Sequence, residues 1–467
     1  MADLFFDTAL LPTGWADHVR VSVDDAGWIT AVESDVRPRG ATSVKGVAVP
    51  GVPNLHSHAF QRALAGLAER GSPSGDSFWG WRQRMYAFLG SLDPEAVEAI
   101  ASQLHVELLE RGFTSIAEFH YLRNDVSGRP YDDPVEMGRR ILAAAESTGM
   151  GMTILPTVYR TSDFGGVDAT PDQRRFVASV EDLVGDIAVL GAGARPGAVR
   201  VGLALHSLRA VPPDALAVAV EAARSMDPDL PIHIHAAEQQ REVDGCLEWS
   251  GARPVEWLLD NAPLDSAWCV VHATHTTETE LERLGATGAI VGLCPTTEAN
   301  LGDGLFPLSV YQEATGSWGV GTDSHVGRDP AGELRLLEYG QRLETRTRNV
   351  AAGRSQRSTG RALLEGAWSG GAKACGRPLG ALAPHLRGDI VVLDPEHPTL
   401  AGRERDEILD SWIFSGESTP VVDVFVGGRR VVRDGRHVDR EAMATRYREV
   451  ARSHGLGQPQ LRMELGD

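Results

Sequence analysis

Apolar runs of strand length alternate with helical stretches through the middle of the chain. The clearest helix spans residues 94–111, and its apolar face is formed by Val97, Ile100, Leu104 and Leu108. Residues 134–148 and 329–349 follow the same spacing. Eight apolar runs predict strands at 47–56, 113–120, 152–158, 200–206, 231–236, 267–273, 288–294 and 317–323. Alternating strands and helices form parallel sheets, so this pattern predicts an α/β fold, a (β/α)8 TIM barrel with its active site at the C-terminal strand ends.

Shorter apolar runs flank this middle on both sides, at 20–23, 28–32, 44–47, 388–393 and 421–432. Gly427-Gly428 interrupts the last of them and indicates a hairpin. Together these runs predict a small β-sandwich domain built from both chain termini. The expected organisation is 1–47 and 376–440 for that domain, 48–375 for the barrel, and 441–467 for a C-terminal helix and tail, with 455–467 extended or disordered.

Histidines and one aspartate stand where the predicted barrel strands end. His56 and His58 close the first strand and, being two residues apart, point to the same side of it. His235 ends the fifth strand and Asp323 ends the eighth. His233 shares the strand face of His235 and is the alternative ligand, although it lies farther from the strand end. Three imidazoles and a carboxylate are the donors of a catalytic zinc site, which leaves one position open for water.

A hydrolase of this kind also needs groups that move protons. Glu238 follows His235 by three residues and can face the same cavity as a general acid or base; alternatively it is an ordinary helix-start charge. His272 ends the sixth strand and can hold the attacking water, whereas its alternative, His275, lies beyond the strand. Asp323 is expected to help deprotonate the water, although a lone aspartate at this place could also cap a helix.

Lysine is almost absent, and occurs at Lys45 and Lys373 alone. No lysine between them can be carboxylated to bridge two metals, so a single ion per chain is favoured, with zinc as the first choice. The formal net charge of -19 argues against nucleic acid or an anionic membrane as a partner.

The cysteines and the N-terminal residues bear on the compartment. No CxxC spacing links the four cysteines, which are Cys246, Cys269, Cys294 and Cys375. They are expected as buried thiols in a reducing environment. The first residues include Asp3 and Asp7 and lack a basic-then-apolar signal pattern, and no run of about 18 apolar residues occurs. These features predict a cytoplasmic protein.

The ligand pattern resembles the amidohydrolase superfamily, with His-x-His on strand one, a histidine on strands five and six, and an aspartate on strand eight. The His-x-x-Glu of His235 and Glu238 is similar to the mononuclear deaminase branch. Further motifs resemble one deiminase of that branch: Pro53-Asn-Leu-His-Ser-His-Ala-Phe-Gln61-Arg62-Ala, Trp79-Gly-Trp-Arg82, Glu118-Phe-His-Tyr121-Leu and His206-Ser-Leu-Arg209. The resemblance covers nearly the whole chain. It implies metal-dependent hydrolysis of N-formimino-L-glutamate to N-formyl-L-glutamate and ammonia, in histidine degradation.

The same resemblance implies that Gln61, Tyr121 and His206 form hydrogen bonds with the substrate, although Tyr121 could equally be a packed rim aromatic. Arg82 lies after strand one and Arg209 after strand four. Both suit bidentate capture of the two substrate carboxylates, which an acidic protein can hold only in a locally positive pocket. Each arginine could instead form a surface ion pair.

Two alternative functions stay open at this point. A mononuclear amidohydrolase could deaminate a nucleobase or a related heterocycle, but such a site would need aromatic stacking and amide readers. Paired arginines favour a dicarboxylate instead. A metal-binding scaffold without hydrolytic activity is disfavoured by the complete acid–base set. The expected partner is therefore a small dicarboxylate substrate, and the protein itself is expected to be a homodimer.

Overall fold

The computed structural model describes residues 2–69, 78–353, 357–416 and 418–455. The strands are β1 (Ala2–Leu11), β2 (Gly14–Val23), β3 (Ile29–Glu33), β4 (Thr42–Pro50), β5 (Val52–Ser57), β6 (Phe113–His120), β7 (Gly151–Val158), β8 (Thr161–Asp163), β9 (Val167–Asp168), β10 (Val199–Val201), β11 (Leu203–Ser207), β12 (Ile232–Ala236), β13 (Trp268–His272), β14 (Ile290–Leu293), β15 (Ser317–Val320), β16 (Ile390–Leu393), β17 (Val421–Val426), β18 (Arg429–Arg433) and β19 (Arg436–His437).

The α-helices are α1 (Phe78–Leu89), α2 (Pro94–Leu109), α3 (Glu136–Thr148), α4 (Val180–Ala192), α5 (Pro213–Met226), α6 (Gln240–Ser250), α7 (Pro254–Asn261), α8 (Glu278–Thr287), α9 (Pro295–Leu301), α10 (Leu308–Glu313), α11 (Pro330–Thr345), α12 (Thr359–Ala374), α13 (Asp406–Phe414) and α14 (Arg440–Ser453). Short 3-10 helices cover Ala59–Ala63 and Pro171–Gln173. The tail predicted at 455–467 lies, apart from its first residue, outside the described residues.

Eight of the strands form a parallel barrel. Hydrogen bonds join them in the order β5-β6-β7-β11-β12-β13-β14-β15, and each neighbouring pair is parallel. A parallel bridge between Ser57 and Asp323 joins the end of β5 to the residues after β15 and so closes the ring. The predicted (β/α)8 barrel is confirmed, and the C-terminal strand ends meet on one face of it.

A glycine divides each of two predicted strands. The run 47–56 is divided at Gly51, so its first part belongs to β4 of the small domain and its second part is the barrel strand β5. The run 200–206 is divided at Gly202 into β10 and β11. A Cβ at Gly51 would lie 2.3 Å from Thr114 Oγ1, so the chain passes from one domain to the other where a side chain does not fit.

Both termini contribute to the small β-domain, as predicted. Its strands are hydrogen-bonded in the order β19-β18-β17-β16-β4-β1-β2-β3. The two halves meet at β4, which pairs in parallel with β1 and antiparallel with β16. Phe6, Val21 and Ile390, from both halves, are buried in one hydrophobic cluster. Gly427 and Gly428 have φ values of 55° and 73° and form the predicted turn between β17 and β18.

The helices surround the barrel and bury the faces that their spacing predicts. Ile100, Leu104 and Leu108 of α2 are 0% exposed and join the same core cluster as Ile116 of β6. Among the described residues no helix is both long enough and apolar enough to cross a membrane. The barrel core is packed by contacts between helices and strands, and this core supports the strand ends at which the site lies.

Helix α12 lies so close to β15 that one of its glycines has no room for a side chain. A Cβ on Gly370 would lie 1.8 Å from the carbonyl oxygen of Trp318. Gly370→Ala is expected to lower the free energy of unfolding by about 1–3 kcal/mol, because the helix must move away from the strand. Gly185→Ala in α4 is the matched control, since nothing lies within 4 Å of its Cβ position. That change should stabilise the protein by roughly 0.5–1 kcal/mol. Equal thermal midpoints for the two variants would contradict the packing argument.

Candidate active site and metal centre

Three histidines and an aspartate meet at the C-terminal face of the barrel. His56 ends β5, His58 follows it directly, His235 lies near the end of β12, and Asp323 follows β15. The Nε2 atoms of His56 and His58 each lie 3.3 Å from Asp323 Oδ1. The Nε2 atoms of His56 and His235 lie 3.0 Å apart. All four side chains are buried, and they belong to two groups that share His56: His58 and Asp323 complete one group, and His235 and His272 complete the other.

The tautomers of these imidazoles fit a metal ion. Nδ1 of His58 lies 2.9 Å from the carbonyl oxygen of Phe119, and Nδ1 of His235 lies 2.8 Å from that of His206. A carbonyl oxygen only accepts, so both Nδ1 atoms donate and both Nε2 atoms keep their lone pairs. Burial lowers the pKa of both imidazoles, which keeps them in the neutral form that binds metals. The set of three nitrogens and one oxygen is that of a catalytic zinc site.

The structure separates each predicted residue from its alternative. His233 points into the barrel below His235, where its Nε2 lies 2.8 Å from the carbonyl oxygen of Ala374. His275 is half-buried outside the group of candidate metal-binding side chains, whereas His272 belongs to that group together with His56. His235 and His272 are therefore the histidines that the fold brings to the site.

Glu238 and His272 form an acid–base pair beside these ligands. Glu238 Oε1 lies 3.6 Å from His272 Nε2. Burial raises the pKa of Glu238 to about 7, so protonated and ionised forms are both accessible near neutral pH. Burial alone would lower the pKa of His272, whereas the carboxylates of Glu238 and Glu298 raise it, and a cation held by the neighbouring ligands would favour the neutral ring that can accept a proton. Such a pair, with one member able to give a proton and the other able to accept one, suits hydrolysis.

A cavity opens directly on this group. Every substrate-binding residue named from the sequence lines it, namely Gln61, Arg82, Tyr121, His206 and Arg209. The same wall contains Trp81, which lies within the Trp79-Gly-Trp-Arg82 motif, and residues that sequence reasoning missed: Phe78, Met85, Tyr86, Tyr159, Phe176 and Leu301. Those side chains come from helices and loops in which their apolar character predicts ordinary core packing, so the pattern carried no signal for them.

Of the two pocket arginines, Arg209 is only loosely neutralised within the described residues. Arg209 is 6% exposed, its Nε has no hydrogen-bond partner among the described residues, and its Nη2 stays 3.9 Å from Glu242 Oε2. The indole of Trp79 supports both guanidinium groups, with its ring centre 4.5 Å from Arg82 Cζ and 5.6 Å from Arg209 Cζ. Arg241 stacks on the same ring at 4.4 Å. Arg82 and Arg209 therefore place positive charge in the wall of the cavity that the candidate metal ligands also line, where an anionic group can be held.

Three uncharged side chains, those of Gln61, Tyr121 and His206, also line the cavity. Gln61 Nε2 donates to the hydroxyl of Tyr121 over 3.0 Å, while Gln61 Oε1 is buried without a partner in the described part of the chain. His206 is half-buried, 5.5 Å from Tyr121 between ring centres. An unpaired buried acceptor in the wall of a cavity is a ready partner for a donor on a ligand.

Several site residues are held in backbone conformations that L-residues seldom adopt. Left-handed φ values occur at Ala237 (54°), His272 (70°), Ala273 (51°), Asp323 (43°) and His325 (62°). Such conformations cost of order 1–3 kcal/mol each and cluster at functional sites. Their concentration at the strand ends is independent support for a site at this face.

A closed parallel barrel with histidine and aspartate ligands at its C-terminal face defines a metal-dependent hydrolase. Residues 47–431 match the profile described as the amidohydrolase family, and the chain belongs to that family. It is 46% identical over 450 residues to the formimidoylglutamate deiminase of Pseudomonas aeruginosa, an alignment that covers 96% of this chain and 99% of that one.

Two solved structures share this fold, and one of them is also similar in sequence. A crystal structure of an amidohydrolase from Brucella melitensis superposes with a TM-score of 0.91 at 44% identity, and covers 97% of this chain and 100% of that one. An adenosine deaminase from Xanthomonas campestris with bound zinc superposes with a TM-score of 0.81 over 97% of this chain and 98% of that one. Its identity of 19% makes this second likeness one of fold alone.

Proposed function

We propose that the protein hydrolyses N-formimino-L-glutamate to N-formyl-L-glutamate and ammonia, a step in histidine degradation. One observation carries the proposal: a single cavity joins an acid–base pair and a metal-ligand set to two arginines, of which Arg209 is 3.9 Å from its partner carboxylate on Glu242. The substrate has a formimino group at one end and two carboxylates at the other, which matches that division of charge. The 46% identity to a formimidoylglutamate deiminase supports the same assignment.

The proposed metal is one zinc ion per chain, held by His56, His58, His235 and Asp323. When bound, it supplies the acidity that converts water to hydroxide near neutral pH. His272 and Asp323 face the attacking water and accept its proton. The water oxygen adds to the formimino carbon. Glu238, 3.6 Å from His272, then gives a proton to the formimino nitrogen. The bond between that nitrogen and the formimino carbon breaks, the remaining hydrogen of the added hydroxyl passes to Glu238, and ammonia leaves behind the formyl carbonyl.

The arginines decide which substrate can reach that chemistry. Arg82 and Arg209 bind the glutamate carboxylates and so place the formimino carbon beside Glu238 and His272. Gln61, Tyr121 and His206 contribute neutral hydrogen bonds along the side of the substrate. A cytoplasmic location and a homodimer are part of this proposal, in keeping with a soluble metabolic step.

The direct test is a product analysis with zinc-loaded protein. Ammonia and N-formyl-L-glutamate should appear in equal amounts from N-formimino-L-glutamate. Adenosine, guanine and simple formamidines serve as the comparison set, because a heterocycle deaminase would prefer the first two. Release of formamide and glutamate, or a higher kcat/KM for a heterocycle, would exclude the proposed reaction.

Metal content tests the ligand assignment separately. His235→Ala should lose most of its zinc, because one of four donors is removed. His233→Ala should keep about one ion per chain and show only a lower thermal midpoint, since its imidazole bonds to a carbonyl away from the site. Elemental analysis of both purified variants gives the answer. Two tightly held ions per wild-type chain, or equal metal loss in both variants, would overturn the assignment.

A further inference from the structure

His272 lies between two carboxylates, and the proposed reaction uses only one of them. Its Nε2 faces Glu238 Oε1 at 3.6 Å, while its Nδ1 lies 3.2 Å from Glu298 Oε1. Glu298 is on α9, and is 4% exposed. A carboxylate only accepts, so Nδ1–H donates to Glu298 in every protonation state that keeps this contact.

Backbone structure fixes the Glu298 carboxylate in place. The oxygen that faces His272 also accepts the backbone N–H of Cys294 over 2.9 Å. Cys294 directly follows β14 and precedes α9, so the carboxylate is tied to the end of a barrel strand. Within the described part of the chain, Glu298 is the one acceptor that reaches Nδ1 of His272. The orientation of the imidazole therefore depends on this side chain.

We propose that Glu298 is a positioning residue that acts through His272. By accepting Nδ1–H it leaves the lone pair of the neutral ring on Nε2, on the side of the reacting water. When Nε2 takes the proton from that water, the negative charge of Glu298 stabilises the imidazolium that results. The inference deepens the proposed function and rests on it.

The chain supplies a matched control in Glu333. This glutamate is also buried, at 0% exposed, and accepts the backbone N–H of Thr296 over 2.9 Å. Both carboxylates thus hold the start of α9, but Glu298 is the one that contacts His272. A purely structural role would make the two glutamates equivalent, whereas a positioning role would not.

Glu298→Gln removes the negative charge of the side chain and keeps its size. Because both hydrogen bonds of Glu298 fall on one oxygen, a glutamine carbonyl can accept both, and the Cys294 N–H favours that orientation. We expect kcat for N-formimino-L-glutamate to fall roughly 10- to 100-fold, with KM within about twofold of wild type. Glu298→Ala should lose more. Glu333→Gln should keep kcat within about twofold. A wild-type kcat in Glu298→Gln, or an equal loss in Glu333→Gln, would overturn the proposal.

A spectroscopic measurement needs neither substrate nor a folded variant of Glu298. In zinc-loaded wild-type protein labelled with 15N-histidine, His272 should carry its proton on Nδ1, with a low-field proton resonance. His272→Asn assigns that resonance by its loss. A proton on Nε2 of neutral His272 would overturn the role of Glu298, whatever the substrate. Failure to release ammonia from N-formimino-L-glutamate would instead refute the proposed function. The spectroscopic result would still show which nitrogen of His272 carries the proton.

Discussion

Glu238→Gln is expected to lower kcat by roughly 10²- to 10⁴-fold while the fold and the metal remain. That range is the usual contribution of a general acid or base, and glutamine keeps the size of the side chain but has no proton to deliver. Burial that raises the pKa of Glu238 to about 7 prepares it for this task. Steady-state ammonia release, measured beside zinc content, gives the answer.

His272→Asn is the companion variant. It should show a loss of similar size, because His272 acts on the water and not as one of the four proposed ligands. Unchanged zinc content and a thermal midpoint near that of wild type are the required controls for both variants. A decrease below about tenfold in Glu238→Gln would mean that Glu238 is only a helix-start charge.

Arg209→Met and Arg82→Met should each reduce kcat/KM for N-formimino-L-glutamate by about 2–5 kcal/mol, which is roughly 30- to 5,000-fold. Each change leaves a substrate carboxylate partly desolvated and unpaired. Arg→Lys should restore only part of the loss, because an ammonium lacks the planar fork of a guanidinium. The measurement is kcat/KM for the four variants at fixed ionic strength.

Two controls separate recognition from structure. A formamidine without carboxylates should be a poor substrate for wild type and should be indifferent to all four changes. Arg241→Met removes a guanidinium that stacks on the same indole, 4.4 Å from its centre, but is itself exposed. It should change kcat/KM far less than Arg209→Met. If the carboxylate-free substrate slows equally, the arginines serve the structure and the substrate assignment loses its main support.

Periodicity predicted the barrel well because its strands are buried on both faces and read as continuous apolar runs. It failed at Gly51 and Gly202, where apolar residues continue without a break across a change of sheet or of strand. The reason is that the hydrophobic pattern of a segment carries no information about a tertiary contact such as that of Gly51 with Thr114. The first strand of the small domain, β1 (Ala2–Leu11), was missed altogether, because the first strand predicted from the sequence is 20–23.

Residues with distinctive chemistry at strand ends were the predictable part of the site. The fold places His56, His235 and Asp323 together because parallel strands end on one face. The pocket wall was not predictable in the same way. Tyr159 and Phe176 contact each other there only because separate loops pack together, and no short sequence motif predicts such a contact. Glu298 was missed because a glutamate in the first turn of a helix is unremarkable until its neighbour is known.

Strand β4 pairs with strands from both ends of the chain, so its pairing is completed only after most of the protein has been synthesised. β1, β2, β3 and β4 emerge first and can pair among themselves, but β4 lacks its partner until β16 is made, roughly 340 residues later. At about 5–20 residues per second that delay is roughly 17–70 s. During it the nascent chain carries an open sheet edge, the feature by which strands of different molecules join. A chain terminated early within the barrel would keep that edge for good.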